Sequence, residues 1–542
     1  MLSDKMLNAW ALDFDMRETQ IKALEWLEKN IDKKYFILQI PVGGGKSPIG
    51  ITLAHYLNQK TNGDSYIITP QVILQRQYLR DFDLPNHGVS SIYGKSNYKC
   101  TNKKTTCDVG GQVGKKCDFC PYTDALKKAK FTPNLILNYS LAFTHFAYVK
   151  KYLGRKNLII ADECHVLERE LTEFDSVSIT KNDCEEYDVN WNPDLKTSEQ
   201  VLDWMKNDFY EAISAYIEHL AEKKKNIVGS PNPDEVKMIK KLDAAQRQYS
   251  QLLEVTHAHD IAEDEEERNR RFNSRYILIT DNKTRRFKAR TAKKAFQRIL
   301  EPYGNKFLFM SSTIINHEEF CKDLGINVEE AAFFDVASEF PLDNRPIIRV
   351  PTTKMNKSWN EPNRQHDRDA MEATIKRIIE FHNEESGIIH TANFAIAKWL
   401  VDILDGEIDH HIYHHNPNTK FKRDLQIQAF QKDPKPSILI SPSSTEGLDL
   451  KGDLGRFAIF AKVPYPFLGD QWIKAKFDQS QEWYNRQAII NVIQGAGRVV
   501  RSKDDDGIVY ILDDCFDYLY SKWNSKFPTW WRESVQRLNL KG

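Results

Sequence analysis

The stretch YFILQIPVGGGKS, residues 35–47, decides the fold. Its first part, Tyr35–Ile40, is a mostly apolar run with the length and composition of a buried strand. Three glycines, Lys46 and Ser47 follow, and the apolar pattern of residues 49–57 predicts a helix after them. Glycines let backbone N–H groups turn toward phosphate oxygens, and the N-terminus of the next helix adds its dipole. The stretch therefore predicts a phosphate-binding loop between a strand and a helix.

Within this loop, Lys46 is expected to neutralise the β- and γ-phosphates of a nucleoside triphosphate, and Ser47 to hold Mg²⁺. The strict pattern has a glycine where this chain has Ile40, so the match is partial. A glycine-rich turn that merely precedes a lysine would look similar, but the flanking strand and helix patterns favour the phosphate site. The candidate ligands in the loop are Gly43, Gly44, Gly45, Lys46 and Ser47.

An acidic pair, Asp162-Glu163, follows another short apolar run in the same half of the chain. On its own such a pair is usually a solvated strand end. Combined with the glycine loop, it predicts hydrolysis: Asp162 would hold Mg²⁺, largely through water, and Glu163 would orient or deprotonate the water that attacks the γ-phosphate.

Strand-like runs alternate with helix-length segments through both halves of the chain, which predicts an α/β fold of two units with parallel sheets. Two stretches interrupt this rhythm. Residues 95–130 are rich in Lys and Cys, and residues 168–297 are charged and helix-like. The predicted strands are Tyr35–Ile40, Ser65–Thr69, Leu135–Leu137, Leu158–Ala161, Lys306–Met310, Gly387–His390, Ser437–Ile440, Phe457–Phe460 and Ile508–Leu512.

The 542 residues carry 76 Lys and Arg and 76 Asp and Glu, so the net charge of zero implies that any nucleic-acid surface is local. The N-terminus lacks a basic segment followed by an apolar core, and no apolar run approaches the ~20 residues of a membrane span. We therefore expect a cytoplasmic, reducing location without membrane contact, where a tight cysteine cluster more often holds a metal than a disulfide.

Four cysteines follow the spacing C-x6-C-x9-C-x2-C between the glycine loop and the acidic pair. Four thiolates this close could bind zinc or a [4Fe–4S] cluster, and spacing alone does not choose between them. Lysines and aromatic rings, among them Tyr93, Tyr98 and Phe119, are interleaved with them, a combination that suits single-stranded nucleic acid. A solvated charge run is the alternative. The cysteines are Cys100, Cys107, Cys117 and Cys120.

The sequence resembles the helicases of superfamily 2, whose signature Asp-Glu-x-His is present at residues 162–165. Phe14–Gln20 is similar to the segment on the adenine side, which makes Arg17 and Gln20 candidate base contacts. Thr69–Gln77 resembles the strand-touching motif Ia. Ser311–Thr313 stands where the family usually has Ser-Ala-Thr, which links hydrolysis to movement.

Two further segments resemble motifs of the second domain in that family. Thr445–Gly452 is similar to motif V and brings Gly447 and Asp449 toward the nucleotide. Gln494–Arg501 is similar to motif VI, in which arginines act on the γ-phosphate across the cleft. Two arginines three positions apart would share one face of a helix. Arg501 is then expected to be the finger and Arg498 its companion, with Gln494 beside them; a surface salt-bridge face is the alternative.

The cysteines narrow the resemblance to the iron–sulfur helicases of the XPD/DinG family. Cys120-Pro121-Tyr122 and the later Asn138-Tyr139-Ser140-Leu141 look like the closing part of that family's iron–sulfur domain. Glu339-Phe340-Pro341 and Lys462–Phe467 are similar to two further family segments. The resemblance implies a [4Fe–4S] cluster on the four cysteines and a mainly helical, arch-like insertion after the acidic pair.

The resemblance also implies a division into two RecA-like motor domains. The first is expected at residues 1–94, 131–167 and 298–340, and the second at 341–542. The iron–sulfur insertion would be 95–130 and the arch-like insertion 168–297.

The implied activity is that of an ATP- and Mg²⁺-dependent DNA helicase that moves 5′→3′ on single-stranded DNA and unwinds forked or tailed duplexes, as a monomer. The shortened insertion and Ser312 leave open a nucleic-acid-stimulated ATPase that acts as a switch without unwinding. A zinc-binding, RNA-dependent ATPase is a third alternative.

Overall fold

The computed structural model describes residues 2–10, 12–61, 64–82, 88–113, 117, 119–149, 152–260, 264–415, 420–442, 450 and 452–538. In these ranges, none of the helices has both the length and the apolar character that a membrane span needs. The strands are β1 Tyr35–Gln39, β2 Ser65–Thr69, β3 Val89–Ser91, β4 Asn134–Asn138, β5 Lys156–Asp162, β6 Val177–Thr180, β7 Tyr276–Thr280, β8 Thr284–Ala289, β9 Gly304–Ser311, β10 Ala331–Asp335, β11 Ile347–Thr353, β12 Gly387–His390, β13 His411–His414, β14 Ser437–Ser441, β15 Phe457–Phe460, β16 Ile508–Asp513 and β17 Val535–Arg537.

The helices surround these strands and fill the stretches between them. They are α1 Asp4–Ala9, α2 Glu18–Lys29, α3 Lys46–Thr61, α4 Val72–Phe82, α5 Cys107–Gly110, α6 Pro121–Lys130, α7 Tyr139–Thr144, α8 Leu167–Phe174, α9 Lys181–Tyr187, α10 Ser198–Trp204, α11 Tyr210–Lys225, α12 Pro233–Asp260, α13 Glu265–Arg275, α14 Lys293–Ala295, α15 His317–Leu324, α16 Gln365–Phe381, α17 Phe394–Leu404, α18 Lys420–Lys432, α19 Gln471–Gln479, α20 Gln481–Ala496, α21 Cys515–Trp523 and α22 Thr529–Arg532.

Two seven-stranded parallel sheets form the body of the protein, as the strand and helix rhythm predicts. The first sheet has the order β10-β1-β9-β5-β2-β4-β3 and defines the first domain. The second has the order β13-β14-β12-β15-β16-β11-β17 and defines the second domain. All nine strands predicted from the sequence are present, with ends that differ by at most two residues.

The first sheet is buried on both faces, which is why its strands are continuous apolar runs. Along β1, Tyr35 and Ile37 point into one hydrophobic cluster, while Phe36 and Leu38 point into the other. Because the strands are parallel, their carboxyl ends meet at one edge. That edge carries the end of β1 with the glycine loop, the end of β5 with Asp162, and the end of β9 with Ser311.

The stretch 168–297, called the helical insertion below, contains a three-stranded antiparallel sheet of order β6-β8-β7 beside its helices. The sequence predicts helices here and misses these strands. Strand β8 carries three charged residues, whereas β7, with the sequence YILIT, is an apolar run like the predicted strands but directly follows a charged, helix-like stretch. The insertion has its own hydrophobic core, which includes Phe209, Leu252 and Phe287.

Residues 95–130, called the cysteine segment, contact the helical insertion. Val109 and Val113 share a small hydrophobic cluster with Ile227 and Ile239 of the insertion. The far end of the segment is different: α6 packs Tyr122, Leu126 and Ala129 into the core of the first domain. The segment is thus fixed on two sides. The domain boundaries drawn from the sequence stay a prediction.

Candidate active site

The glycine loop lies between β1 and α3 at the edge of the first sheet. Gly43 and Gly45 have φ angles of +77° and +79°, a region that side-chain-bearing residues rarely adopt. A Cβ atom at Gly43 would collide with the backbone oxygen of Arg501 in the second domain. One at Gly45 would collide with the Gln20 side chain. Both glycines are required by conformation and by close neighbours, as a loop that presents backbone N–H groups to a phosphate needs.

Arg17 and Gln20, the expected base contacts, hold the glycine loop itself. Arg17 Nη1 donates to the Gly43 carbonyl oxygen at 2.7 Å, and Gln20 Nε2 lies 3.5 Å from the Gly45 carbonyl oxygen. Gln20 Oε1 also accepts from the backbone N–H of Arg17 at 2.9 Å, at the start of α2. The structure therefore places both residues beside the loop, where they fix its shape; their contact with a base stays a prediction.

The acidic pair faces the loop lysine. Lys46 Nζ lies 3.0 Å from Glu163 Oε1, and His165 Nδ1 lies 3.3 Å from Glu163 Oε2. Glu163 has a left-handed backbone conformation, with φ of 49°, which turns its side chain out of the strand direction of β5. Burial acts to raise the pKa of Glu163, but the Lys46 ammonium and His165 outweigh it and hold that pKa well below its usual value. Glu163 is therefore ionised and can orient water, and it becomes a stronger base only when Lys46 takes another partner.

Asp162 is almost fully buried at the end of β5. Its Oδ2 accepts from the hydroxyl of Tyr78 at 3.3 Å, and its Oδ1 accepts from the backbone N–H of Glu163 at 3.0 Å. Burial and the neighbouring Glu163 charge raise the pKa of Asp162 to about 6. A buried carboxylate with a raised pKa gains most from a positive charge nearby, so the residue suits the predicted role of Mg²⁺ ligand.

A chain of polar side chains links this carboxylate pair to the second domain. His165 Nδ1 lies 2.8 Å from Ser311 Oγ, which in turn lies 3.4 Å from Thr313 Oγ1. Gln494 Nε2 donates to Thr313 Oγ1 at 2.7 Å and to Ser312 Oγ at 3.1 Å. Gln494 belongs to α20 of the second domain. A continuous chain of polar contacts therefore connects Glu163 to the second domain across the domain boundary.

The two arginines of Gln494–Arg501 both line the cleft but do not share a helix face. Helix α20 ends at Ala496 with Gly497 as its C-cap, so Arg498 and Arg501 lie in the turn and loop that follow. The prediction of a shared helix face is wrong because Gly495 and Gly497 favour an early helix end over continuation.

The arginine side chains, the glycine loop and the acidic pair surround one cleft of about 900 Å³ between the two domains. Its lining includes Lys46 and Glu163 from the first domain and Arg498 and Arg501 from the second. A nucleotide placed on the glycine loop would therefore face positive charge from both sides. The remaining candidates, Gly447 and Asp449, lie outside the described residues.

Tyr78 and Tyr139 are site residues that the sequence did not reveal. The hydroxyl of Tyr139 donates to the Asp162 carbonyl oxygen at 2.6 Å, while that of Tyr78 holds the carboxylate. Both rings are buried and come from helices that follow β2 and β4. No local pattern marks them, because only the adjacency of β2 to β4 and β5 brings them to Asp162.

The four cysteines come together as two pairs. Cys100 Sγ lies 3.3 Å from Cys117 Sγ, and Cys107 Sγ lies 3.5 Å from Cys120 Sγ. Burial raises the pKa of Cys107 to about 12, whereas the hydrogen bond from Cys100 lowers the pKa of Cys117. Among the described residues, no three or more His, Cys, Asp or Glu side chains are arranged to hold a metal ion.

The aromatic and basic residues around the cysteines differ in exposure. Phe119 is 79% exposed and free to stack on a base. Tyr98 is instead packed edge-on against Tyr122 at 5.4 Å, so it is wrong as a stacking candidate. Lys103 turns inward and donates to the carbonyl oxygens of Gly110 and Val113. Lys115 and Lys116 lie outside the described residues.

Comparisons with known proteins found matches to both halves of the chain. A family model described as "Helicase C-terminal domain" matches residues 376–534, in the second domain. Another, "Type III restriction enzyme, res subunit", matches residues 13–187, in the first. Among solved structures, "XPD_Helicase" superposes with a TM-score of 0.59 at 16% identity, covering 97% of this chain and 100% of that one. The superposition shows that this chain has the fold of that structure, and the two family matches support the resemblance to the XPD/DinG-type helicases of superfamily 2.

The curated relatives that match are named as helicases. The chain is 26% identical over 207 residues to "ATP-dependent DNA helicase DinG" of Photobacterium profundum, which covers 36% of this chain and 29% of the relative. It is 31% identical over 114 residues to "Regulator of telomere elongation helicase 1 homolog" of Caenorhabditis elegans, covering 18% of this chain and 11% of the relative. The matched segments thus span less than a third of these relatives' own lengths.

Proposed function

We propose that this chain is an ATP-dependent DNA helicase that moves on single-stranded DNA and unwinds forked or tailed duplexes. The observation that carries the proposal is the polar route from Glu163 through His165 and Ser311–Thr313 to Gln494. It joins the hydrolytic carboxylate of one domain to the other domain, as a motor requires. The relatives named as ATP-dependent DNA helicases support DNA as the substrate.

In the proposed reaction, the γ-phosphate of ATP takes the place of Glu163 as the partner of Lys46. Glu163, freed from the lysine, orients the attacking water and accepts its proton. Arg498 and Arg501 approach from the second domain and stabilise the charge that builds on the γ-phosphoryl oxygens. Because they belong to the other domain, hydrolysis depends on closure of the cleft. Ser47 and Asp162 would hold Mg²⁺, which neutralises phosphate charge when bound.

A [4Fe–4S] cluster is the proposed occupant of the four cysteines. The chemistry of the donor set fits it, since four thiols lie within one short segment as two pairs, each with one buried and one partly buried sulfur. The cluster would tie the loop around Cys100 and Cys107 to the start of α6 at Cys120. Since α6 is packed into the core of the first domain, this connection would brace the cysteine segment against forces from a DNA fork.

The proposed path of the DNA passes the cysteine segment, where Phe119 offers an exposed ring and Lys95, Lys99 and Lys104 offer exposed positive charge. Movement in the 5′→3′ direction and action as a monomer are part of the proposal and rest on the family resemblance. So do the boundaries of the two RecA-like motor domains and of the two insertions.

The deciding experiment is an unwinding assay on duplexes with 5′ or 3′ tails, including RNA–DNA hybrids, with anaerobically purified protein whose iron and sulfide have been measured. The proposal predicts strand displacement from 5′-tailed DNA, ATPase activity that rises with single-stranded DNA, and about four iron atoms per chain. DNA-stimulated ATPase without a displaced strand would favour the switch. Zinc in place of iron, with RNA-stimulated ATPase, would favour the third alternative.

A further inference from the structure

Away from the nucleotide cleft, four charged side chains meet in the boundary between the two domains. Glu168 comes from α8, which joins the first domain to the helical insertion, and Asp323 comes from α15 of the first domain. Lys476 and Arg486 come from α19 and α20 of the second domain. Lys476 Nζ lies 2.6 Å from Glu168 Oε1 and 3.9 Å from Asp323 Oδ1. Arg486 Nη2 pairs with Asp323 Oδ2. We call these four residues the boundary quartet.

The boundary quartet is buried and electrically balanced. Each of its side chains exposes 13% or less of its surface. Trp483 closes it on one side, donating its Nε1–H to Glu168 Oε2 at 3.0 Å, with its ring 4.9 Å from Lys476 Nζ. Buried ion pairs contribute little net stability, because desolvation offsets their attraction. They do penalise any arrangement that separates the charges, so they are suited to fix geometry.

Helix α20 runs from the boundary quartet to the nucleotide cleft. Arg486 lies near its start and Gln494 near its end, eight residues later, which is about 12 Å of helix. Each end is held to the first domain: the start through Asp323, the end through Ser312 and Thr313. Arg498 and Arg501 follow directly after the helix. The position of the quartet therefore sets where these arginines enter the cleft.

The helical insertion also contacts the second domain beside the boundary quartet. Lys476 Nζ donates to the Arg290 carbonyl oxygen at 3.2 Å, and Trp472 Nε1 donates to the Ala289 carbonyl oxygen at 2.8 Å. The Gln471 amide makes two hydrogen bonds to the Thr280 backbone, accepting from its N–H and donating to its carbonyl oxygen. Helix α19 is thus attached to both β7 and the end of β8. Because α19 belongs to the second domain, the insertion cannot move independently of that domain.

We propose that Lys476 and Arg486 are positioning residues for ATP hydrolysis, an inference that rests on the proposed function. Through Glu168 and Asp323 they fix α20 against the first domain, so that Gln494 and the two arginines reach the nucleotide. Through Lys476 and α19, they also couple the position of the helical insertion to that of α20. They touch neither nucleotide nor DNA, and act only through α20 and α19.

The test separates positioning from stability by replacing an ion pair with apolar side chains. The variant Asp323→Leu/Arg486→Met removes both charges together, which buried sites often tolerate in stability. Its control is Lys474→Met/Asp478→Leu, an exposed pair on α19 with 52% and 56% side-chain exposure. We expect the quartet variant to melt within a few degrees of wild type but to lose at least ~10-fold in DNA-stimulated kcat, equivalent to about 1.4 kcal/mol. ADP binding should stay within ~2-fold, since the glycine loop is intact.

A wild-type kcat in the quartet variant would overturn the proposal. So would a large loss of melting temperature in that variant together with full activity of Arg486→Lys, because the quartet would then act through stability alone. If the double variant fails to fold, Arg486→Lys decides: the proposal requires a lower kcat with unchanged ADP binding, because lysine keeps the charge and loses the fixed guanidinium geometry.

A second measurement is independent of activity. Fluorophores on non-natural residues at exposed positions 32 and 384 report the distance between the domains by energy transfer in the nucleotide-free protein. The quartet variant should show a broader distance distribution than wild type and the control. If wild-type protein hydrolyses no ATP, the proposed function fails, while this distribution still tests the positioning role; an unchanged distribution would count against it.

Discussion

The nucleotide cleft and the cysteine segment are built in opposite ways. The cleft gathers side chains from the whole length of the chain, between Arg17 and Arg501, and gives most of them partners across the fold. The cysteine segment brings Cys100, Cys107, Cys117 and Cys120 together as two thiol pairs within one short stretch of chain. The difference teaches that hydrolysis depends on how the domains pack, whereas the cysteine site depends on a short stretch of chain. Substitutions should therefore separate ATPase activity from strand separation.

Loss of Arg501 should have the largest effect on the ATPase rate. Arg501→Ala should reduce DNA-stimulated kcat on the order of 1,000-fold, because it removes charge stabilisation supplied across the cleft. Quenched assays of phosphate release at saturating ATP measure this kcat, and the affinity for ADP, measured by fluorescence, should stay unchanged. Arg537→Ala, an exposed arginine on β17, is the control. A loss confined to Arg498→Ala would exchange the roles of the two arginines.

Loss of Lys46, the lysine of the glycine loop, should have the second-largest effect on the ATPase rate. Lys46→Ala should lower kcat roughly 100- to 1,000-fold, since it removes one charged contact to the phosphates. It also removes the cation that holds down the pKa of Glu163. The fold should persist, as circular dichroism and melting would show, and Lys29→Ala at the exposed end of α2 serves as control. Turnover at the wild-type rate would mean that the glycine loop is not the phosphate site.

The polar route between the domains should contribute less to the ATPase rate than Arg501 or Lys46. Gln494→Ala removes two hydrogen bonds to Ser312 and Thr313 and should reduce kcat about 10-fold, which corresponds to about 1.4 kcal/mol. The loss should be larger with DNA than without it, because DNA favours the closed cleft. Gln481→Ala at the exposed start of the same helix is the comparison. An equal effect with and without DNA would show that Gln494 does not couple the domains.

The cysteine segment should affect the ATPase rate least. Cys117→Ser should lose bound iron and duplex unwinding, yet change basal ATPase by less than about 2-fold, because the phosphate site is built from parts of the chain outside the cysteine segment and distant sites act nearly independently. Iron analysis, strand displacement and phosphate release measure the three effects. Cys515→Ser is the control outside the segment. If the Cys117→Ser protein unwinds normally, the cysteines take no part in strand separation.

Sequence patterns predict the elements of this fold well and its polar partners poorly. Each predicted strand is present because a strand buried on both faces leaves a continuous apolar run. Strand β8 was missed because it contains three charged residues, and β7, although apolar, was missed because it directly follows the charged helix α13. The helix expected to carry Arg498 and Arg501 ends before them. The low helix propensity of two glycines outweighs the three-residue spacing of the arginines, which had suggested a shared helix face.

By itself, the sequence predicted which residues would form the nucleotide site. The glycine loop, Lys46 and the acidic pair are recognisable because each follows a buried strand, and parallel strands bring their carboxyl ends to one edge. Only the tertiary structure decided which groups surround them. Tyr78 reaches Asp162 through the order of the strands, and Arg486 reaches Asp323 through the packing of two domains. Such contacts join residues far apart in the chain, where no local spacing can record them.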